Sequence, residues 1–366
     1  MPTPSKPVKR IALVNFGGIG DEILFSPVIA AIREQFPAAH LTLFLEGRSR
    51  SVSDLLPGLD AVETVTLQGV SRTQLFGELI RRLRGKGFDW VVCSGSSPFI
   101  SVMLFLTGIP FRVGFDSGPV SRLLLSAAAP LNKQIYAAEM YFSLARTALV
   151  RWTGNGAAGS ETPPIPSVRR PESDRQAWAD DLLGGGTGRR VLIHPGASKV
   201  SVEKGIFKGW SAERWAELIT QLATASHRVF LVGGPDDQAI VEAIQGQLPD
   251  ALSGFTNLYG QTRNLQDLAA LVQQADVLVS VDSSPLHIAV GLGKPVVVLF
   301  GPTDEKKLIP PDRDWVQAVT LPDLSCRPCL WDVRQANCES STCLDVPVSA
   351  MLQTIDRVLG TATVIS

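Results

Sequence analysis

The chain has 366 residues, of which 45% are hydrophobic and 19% charged, and its formal net charge is −1. At roughly 100–200 residues per domain the length predicts two domains, large enough to fold without disulfide or metal staples. A charged fraction below the usual ~25% excludes disorder and coiled coil, and near-neutrality gives no case for nucleic acid as partner.

The most apolar stretch, residues 99–109, is half the ~20 residues that a spanning helix needs. The basic start MPTPSKPVKR is followed by a short apolar run, then glycines and the acidic pair Asp21–Glu22, which reads as a buried strand rather than an export signal. Five cysteines are too few for a secreted disulfide framework, so a cytoplasmic protein is expected. The total of −1 conceals a split. Residues 1–160 carry +5 and the remainder −6, and Arg48, Arg50, Arg72, Arg81, Arg82 and Arg84 are the densest basic supply.

Short β-rich runs alternate with amphipathic stretches, the pattern of parallel sheets flanked by helices. In the first half, strands are expected at residues 11–16, 41–46, 62–67, 90–95 and 111–115, with helices near 21–36, 73–84 and 136–151. A breaker-rich segment at 153–173 holds three Gly and four Pro without periodicity, which places a linker at 161–173. The alternation then restarts, with strands at 190–196, 228–234, 277–282 and 296–301 and helices at 211–225, 236–248, 265–275 and from Ser284. The expected organisation is a Rossmann-like domain at 1–160, a second at 174–348, and a helix at 349–366 folding back onto the first. A ligand belongs in the crevice at the carboxyl ends of the strands.

The first strand feeds Gly17, Gly18 and Gly20, then Asp21. Glycines at a strand-to-helix turn permit positive φ and close backbone approach, as in a phosphate loop, although the spacing is neither G-x-G-x-x-G nor a Walker motif. Asp21 reads either as a helix-start acid favoured by the macrodipole or as a general base on the acceptor side. In the second half, Gly196, Ala197 and Ser198 follow a strand and precede Lys204 and Lys208, an arrangement suited to an anion or to a solvated lysine loop. Asp282, Ser283, Ser284 and His287 surround a helix start; hydroxyls and free amides there fit a bound phosphate, and a helix cap explains Ser284 and Pro285 equally. Asp237 follows Gly233-Gly234-Pro235 at a comparable strand end, where an acid can hold ribose hydroxyls or simply begin a surface helix. Cys326, Cys329, Cys338 and Cys343 match the count for a structural zinc, with an unusually short central spacing of eight residues.

Taken in order, the G-x-G-D turn with Ser26-Pro27, the H-P-G-A-S loop with Lys208-Gly209-Trp210, Gly-Gly-Pro-x-Asp ending at Asp237, and V-S-V-D-S-S-P-L-H-I-A resemble glycosyltransferase family 9, the bacterial lipopolysaccharide heptosyltransferases. The resemblance spans nearly the whole chain. It implies a GT-B fold and metal-independent, inverting transfer of a heptose or related sugar from a nucleotide-sugar, ADP-heptose foremost, to a lipopolysaccharide-core acceptor. It implies Asp21 as base, Lys208 facing the donor phosphates, and Gly196, Ala197, Ser198, Asp237, Asp282, Ser283, Ser284 and His287 around the donor. No cofactor is required for the transfer; the four cysteines read either as ligands of a structural zinc or as thiols, reduced or oxidised to disulfides on purification. Partners would be the donor, an anionic glycolipid or oligosaccharide, and the inner membrane surface. Ser284 departs from the family's usual glycine. A nucleotide-sugar epimerase and a non-catalytic nucleotide- or glycan-binding protein are the alternatives.

Overall fold

The structure, a computed structural model, describes residues 7–66, 69–154, 164–198, 201, 203, 205–330, 338 and 340–362. It divides into two compact units, residues 1–168 and 169–366.

In the first unit six parallel strands form one sheet: β1 (Arg10–Val14), β2 (His40–Glu46), β3 (Ala61–Val65), β4 (Trp90–Cys93), β5 (Phe111–Phe115) and β6 (Ala127–Ala129), in the order β3-β2-β1-β4-β5-β6. The helices are α1 (Ile19–Leu24), α2 (Ser26–Gln35), α3 (Arg72–Leu83), α4 (Pro98–Leu106), α5 (Pro119–Leu124) and α6 (Ala137–Thr153). Pro27, Pro98 and Pro119 each lie in a first helical turn, where the missing N–H costs nothing. The central strands are buried on both faces, which explains why IALV and WVVC read as continuous apolar runs. Trp90 anchors this core, stacked on Phe111 at 4.2 Å and edge-on to Phe36 and Trp152.

The second unit repeats the plan with β7 (Arg190–His194), β8 (Arg228–Leu231), β9 (Phe255–Asn257), β10 (Val277–Val281), β11 (Val296–Leu299) and β12 (Val316–Val319), ordered β12-β11-β10-β7-β8-β9. Its helices are α7 (Ser173–Leu183), α8 (Ala212–Thr224), α9 (Gln238–Gln245), α10 (Leu265–Gln274), α11 (Ser284–Leu292), α12 (Glu305–Leu308) and α13 (Val348–Ala362). In each unit the strand order reverses beside the first strand, between β1 and β4 and between β7 and β10. Those switch points are where an open α/β sheet binds ligands.

Three short strands, β6, β9 and β12, escape sequence reasoning; β6 is three alanines, with no β-branched side chain to mark it. The terminal helix spends its apolar face within its own unit. Met351, Ile355 and Val358 are fully buried, and α13 packs on α8, β11 and β12 of its own unit.

Candidate active site

At the first switch point, Asn15 follows β1 and Ser94 follows β4, and their side chains are hydrogen-bonded across it. The chain then turns through Gly17 and Gly18 into α1. None of Gly17, Gly18 and Gly20 adopts positive φ, so the left-handed freedom expected of them is not used. Close approach is: a Cβ on Gly17 would fall 2.2 Å from the Cβ of Asp21. The half-buried Asp21 accepts the Gly18 amide on Oδ2 at 2.8 Å, as an acid in a first helical turn does.

Beside it sits a residue that motif reasoning passed over. Glu22 is fully buried and accepts the Gly17 amide at 3.2 Å. Burial pushes its carboxyl up to about 8, opposed by bonds from Asn15 and Gly17 and reinforced by Asp21 and Glu46. Glu46, at the end of β2, is buried and paired with Arg48 at 2.6 Å, while the buried Ser49 donates to the Gly17 carbonyl at 2.8 Å. An acid at N4 of a helix carries no sequence signal for burial; only the turn's fold over β2 creates it.

At the second switch point, two carboxylates are organised. Lys208 donates to Asp282 Oδ2 at 2.7 Å and to the Asp282 carbonyl at 3.2 Å, and Thr303 donates to the same Oδ2 at 2.8 Å. Burial alone would raise Asp282, but the Lys208 charge, the bonds from Lys208 and Thr303, and the field of His287 hold its carboxyl below the usual range. Arg327 reaches the Gly301 and Thr303 carbonyls at 2.6 and 3.0 Å, which fixes the loop that carries Thr303.

Asp282 ends β10, and Ser283 and Ser284 open α11. Ser283 takes the N-cap position in an extended conformation, φ −148°. Its hydroxyl does not cap: it lies 3.4 Å from both the Val281 carbonyl and the Ser280 hydroxyl. Pro285 has no N–H and the Leu286 N–H donates to the Ser283 carbonyl at 3.2 Å, so of the first-turn positions of α11 the Ser284 amide is the one left for another acceptor. Ser284 fits where the family uses glycine because the position is the first of a helix and has no positive φ. His287, one turn in, is buried.

The loop after β7 is built around the second carboxylate. Asp237 is buried, accepting the Gly234 amide at 2.7 Å and facing His194 Nε2 at 3.3 Å. Gly196 is obligatory against it, since a Cβ there would lie 1.7 Å from Asp237 Oδ1. Asp237 is thus an interior tie between the loops after β7 and β8, not the start of a surface helix. His194 opens the H-P-G-A-S motif but was given no role from the sequence, and neither was Thr303. Ala197 packs against the core of the unit, and Ser198 bonds locally, 3.0 Å from the Ser201 hydroxyl. Lys204 lies outside the described residues.

The structural-zinc expectation is not met by the described residues: no group of three or more His, Cys, Asp or Glu among them is set to hold a metal ion. Cys326, Cys329 and Cys338 are exposed thiols and Cys343 is half-buried. No described helix is long and apolar enough to cross a membrane.

The sequence matches the family "Glycosyltransferase family 9 (heptosyltransferase)" over residues 76–338, more than half of the chain. It is 25% identical over 300 residues to lipopolysaccharide heptosyltransferase 3 of Escherichia coli, covering 78% of this chain and 81% of that protein. It is also 25% identical over 304 residues to lipopolysaccharide heptosyltransferase 2 of Salmonella typhimurium, covering 80% and 83%. Among solved structures, E. coli ADP-heptose lipopolysaccharide heptosyltransferase II superposes with a TM-score of 0.71 at 20% identity, over 96% of this chain and 99% of that one. A family 9 glycosyltransferase from Veillonella parvula gives 0.73 at 19%, over 98% and 99%. These likenesses establish the GT-B type of fold, built of two Rossmann-like units, that the motif order implied. The chain belongs to glycosyltransferase family 9, the lipopolysaccharide heptosyltransferase family, and is a glycosyltransferase.

Proposed function

We propose that this protein transfers a heptose from ADP-heptose to an anionic lipopolysaccharide-core acceptor in one inverting step, without a divalent cation. The observation that carries the reading is the Lys208–Asp282–Thr303 cluster beside the uncapped start of α11. An ammonium has three protons, and Asp282 occupies two directions of Lys208, which leaves the third for a phosphate oxygen. Lys208, the Ser284 amide and the N-terminal end of the α11 dipole together give positive potential where a departing diphosphate gathers charge, the work a metal ion does in other transferases. Asp237 and His194 shape the neighbouring loop for the nucleoside.

In the transfer, an acceptor hydroxyl oxygen forms a bond to the anomeric carbon while the carbon–phosphate oxygen bond breaks. Asp21 takes the hydroxyl proton through its outer carboxylate oxygen, and the electron pair leaves with the nucleoside diphosphate. The choice of ADP-heptose is supported by the relatives, one of which is named for that donor. The acceptor's anionic character is supported by the +5 balance of residues 1–160. Such an acceptor is met at the inner face of the cytoplasmic membrane.

The test is nucleotide release by purified protein supplied with ADP- and UDP-sugars, with and without lipopolysaccharide-core acceptors, in EDTA. ADP release that needs both heptose donor and acceptor, and persists in EDTA, is expected. Donor conversion without acceptor would replace the transfer reading by an epimerase.

A further inference from the structure

The first unit carries an apolar surface that the transfer chemistry does not use. Ten large hydrophobic side chains are exposed among the described residues, and six of them, Phe99, Val102, Phe105, Leu106, Val120 and Leu123, lie on α4 and α5, which pack on one another. The exposures are those of surface residues: 61% for Phe99, 51% for Phe105, 52% for Leu106 and 82% for Leu123. On α4 they are not scattered. Positions 99, 102, 105 and 106 fall within about 120° of arc, whereas Ser101, Met103 and Leu104 fill the opposite, buried arc. A helix apolar all round belongs in a core or against another apolar phase, yet this one has about a third of its circumference uncovered.

The rim says what covers it. Residues 98–111 contain no charged side chain, and the first charge beyond them is Arg112, whose guanidinium lies 5.6 Å from the centre of the Phe105 ring. Arg122 stands beside Leu123 on α5, largely exposed and braced by Asp116 at 2.6 Å. An apolar centre with exposed phenylalanines inside a basic rim is the pattern of interfacial membrane binding. A second copy of the chain would set this arginine rim against its own image.

We infer that the α4–α5 face seats on an anionic phospholipid bilayer, Phe99, Phe105, Leu106 and Leu123 entering the acyl–headgroup boundary and Arg112 and Arg122 meeting lipid phosphates. This surface differs from the arginine set expected from sequence, in which Arg48 is paired with Glu46 and Arg81 and Arg82 with Glu78. It stands whether or not the donor assignment does.

The experiment floats the purified full chain with vesicles of phosphatidylglycerol and phosphatidylethanolamine, and separately with phosphatidylcholine alone. The wild type rises with the anionic vesicles and far less with phosphatidylcholine. Phe99→Asp with Leu123→Asp lowers apparent vesicle affinity by roughly tenfold or more, since each side chain stops contributing its buried area. ADP affinity, a property of the second unit, stays unchanged. Should that pair lower the melting transition, Leu123→Ser alone, at the most exposed of these positions, decides by the same readout. Wild-type protein that stays at the bottom with both vesicles, or variants that float like wild type, would overturn the assignment. So would a concentration-dependent doubling of mass without lipid that Leu123→Ser abolishes, which would make the face a contact between copies.

Discussion

The Lys208 ammonium and the Asp282 carboxylate meet at 2.7 Å across 74 positions of sequence, the lysine from the loop before α8 and the acid from the end of β10. The pair gives one charge two tasks. Lys208 neutralises a buried carboxylate and, from the same nitrogen, faces the uncapped start of α11.

Lys208→Ala therefore has two separable effects. It leaves Asp282 buried without its cation, which costs about 3–5 kcal/mol, and it weakens ADP binding and turnover, the latter on the order of 10²–10³. Adding Asp282→Asn to it should restore the melting temperature but not nucleotide affinity. Calorimetric titration with ADP beside thermal melts reads both, and recovery of both would reduce Lys208 to a structural role.

Asp21→Asn keeps the Gly18 amide bond, because the amide side chain still offers an oxygen, and removes the proton acceptor. Transfer should fall by at least 10²-fold, the lower end of general-base effects, while ADP affinity is unaltered. Turnover within a factor of a few of wild type would take the base role from Asp21.

Glu22 makes stability depend on pH. Its carboxyl sits at about 8 in the folded protein against 4.5 ordinarily, so between those values the folded state binds the proton that the unfolded state has released. The stabilisation is complete below pH 4.5 and is lost as pH rises toward 8. Glu22→Gln, uncharged at every pH, should flatten that slope and exceed wild type in stability at pH 9. Denaturant titrations at pH 5 and 9 measure it, and parallel profiles for the two proteins would contradict it.

Gly196→Ala should collapse the second site locally. The added Cβ would overlap Asp237 Oδ1, and neither that carboxylate, held by Gly234 and near His194, nor the loop backbone can yield without breaking a contact. A tenfold or greater loss of ADP affinity is expected, with smaller loss from Asp237→Ala, which opens space as it removes the carboxylate. Unchanged affinity in Gly196→Ala would remove this loop from the donor site.

How far the site was legible from sequence depended on distance along the chain. The alternation of β-rich and amphipathic runs announced two parallel sheets, because strands buried on both faces must be apolar throughout. Ordered motifs marked Asp21, Lys208, Asp237, Asp282 and the α11 start, because each lies in or beside a segment that joins a strand to the next helix. Pairing was invisible. Nothing near Lys208 points to Asp282 or Thr303, and nothing near His194 to Asp237, since these contacts form only when β7, β8, β10 and β11 lie side by side.

The same reason governs burial. By itself the sequence determined the two-unit α/β plan, the family and the positions of the strand-end turns, all of which depend on local pattern. Only the tertiary structure decided that Glu22 is interior while its neighbour Asp21 is half-exposed, and that Asp237 is a tie rather than a surface acid. It alone turned the apolar run near residue 100 into a helix with one face in the core and the other open. Dielectric environment and surface exposure belong to the packed chain, and the −1 of the whole molecule could not reveal an arginine-rimmed apolar face in its basic first half.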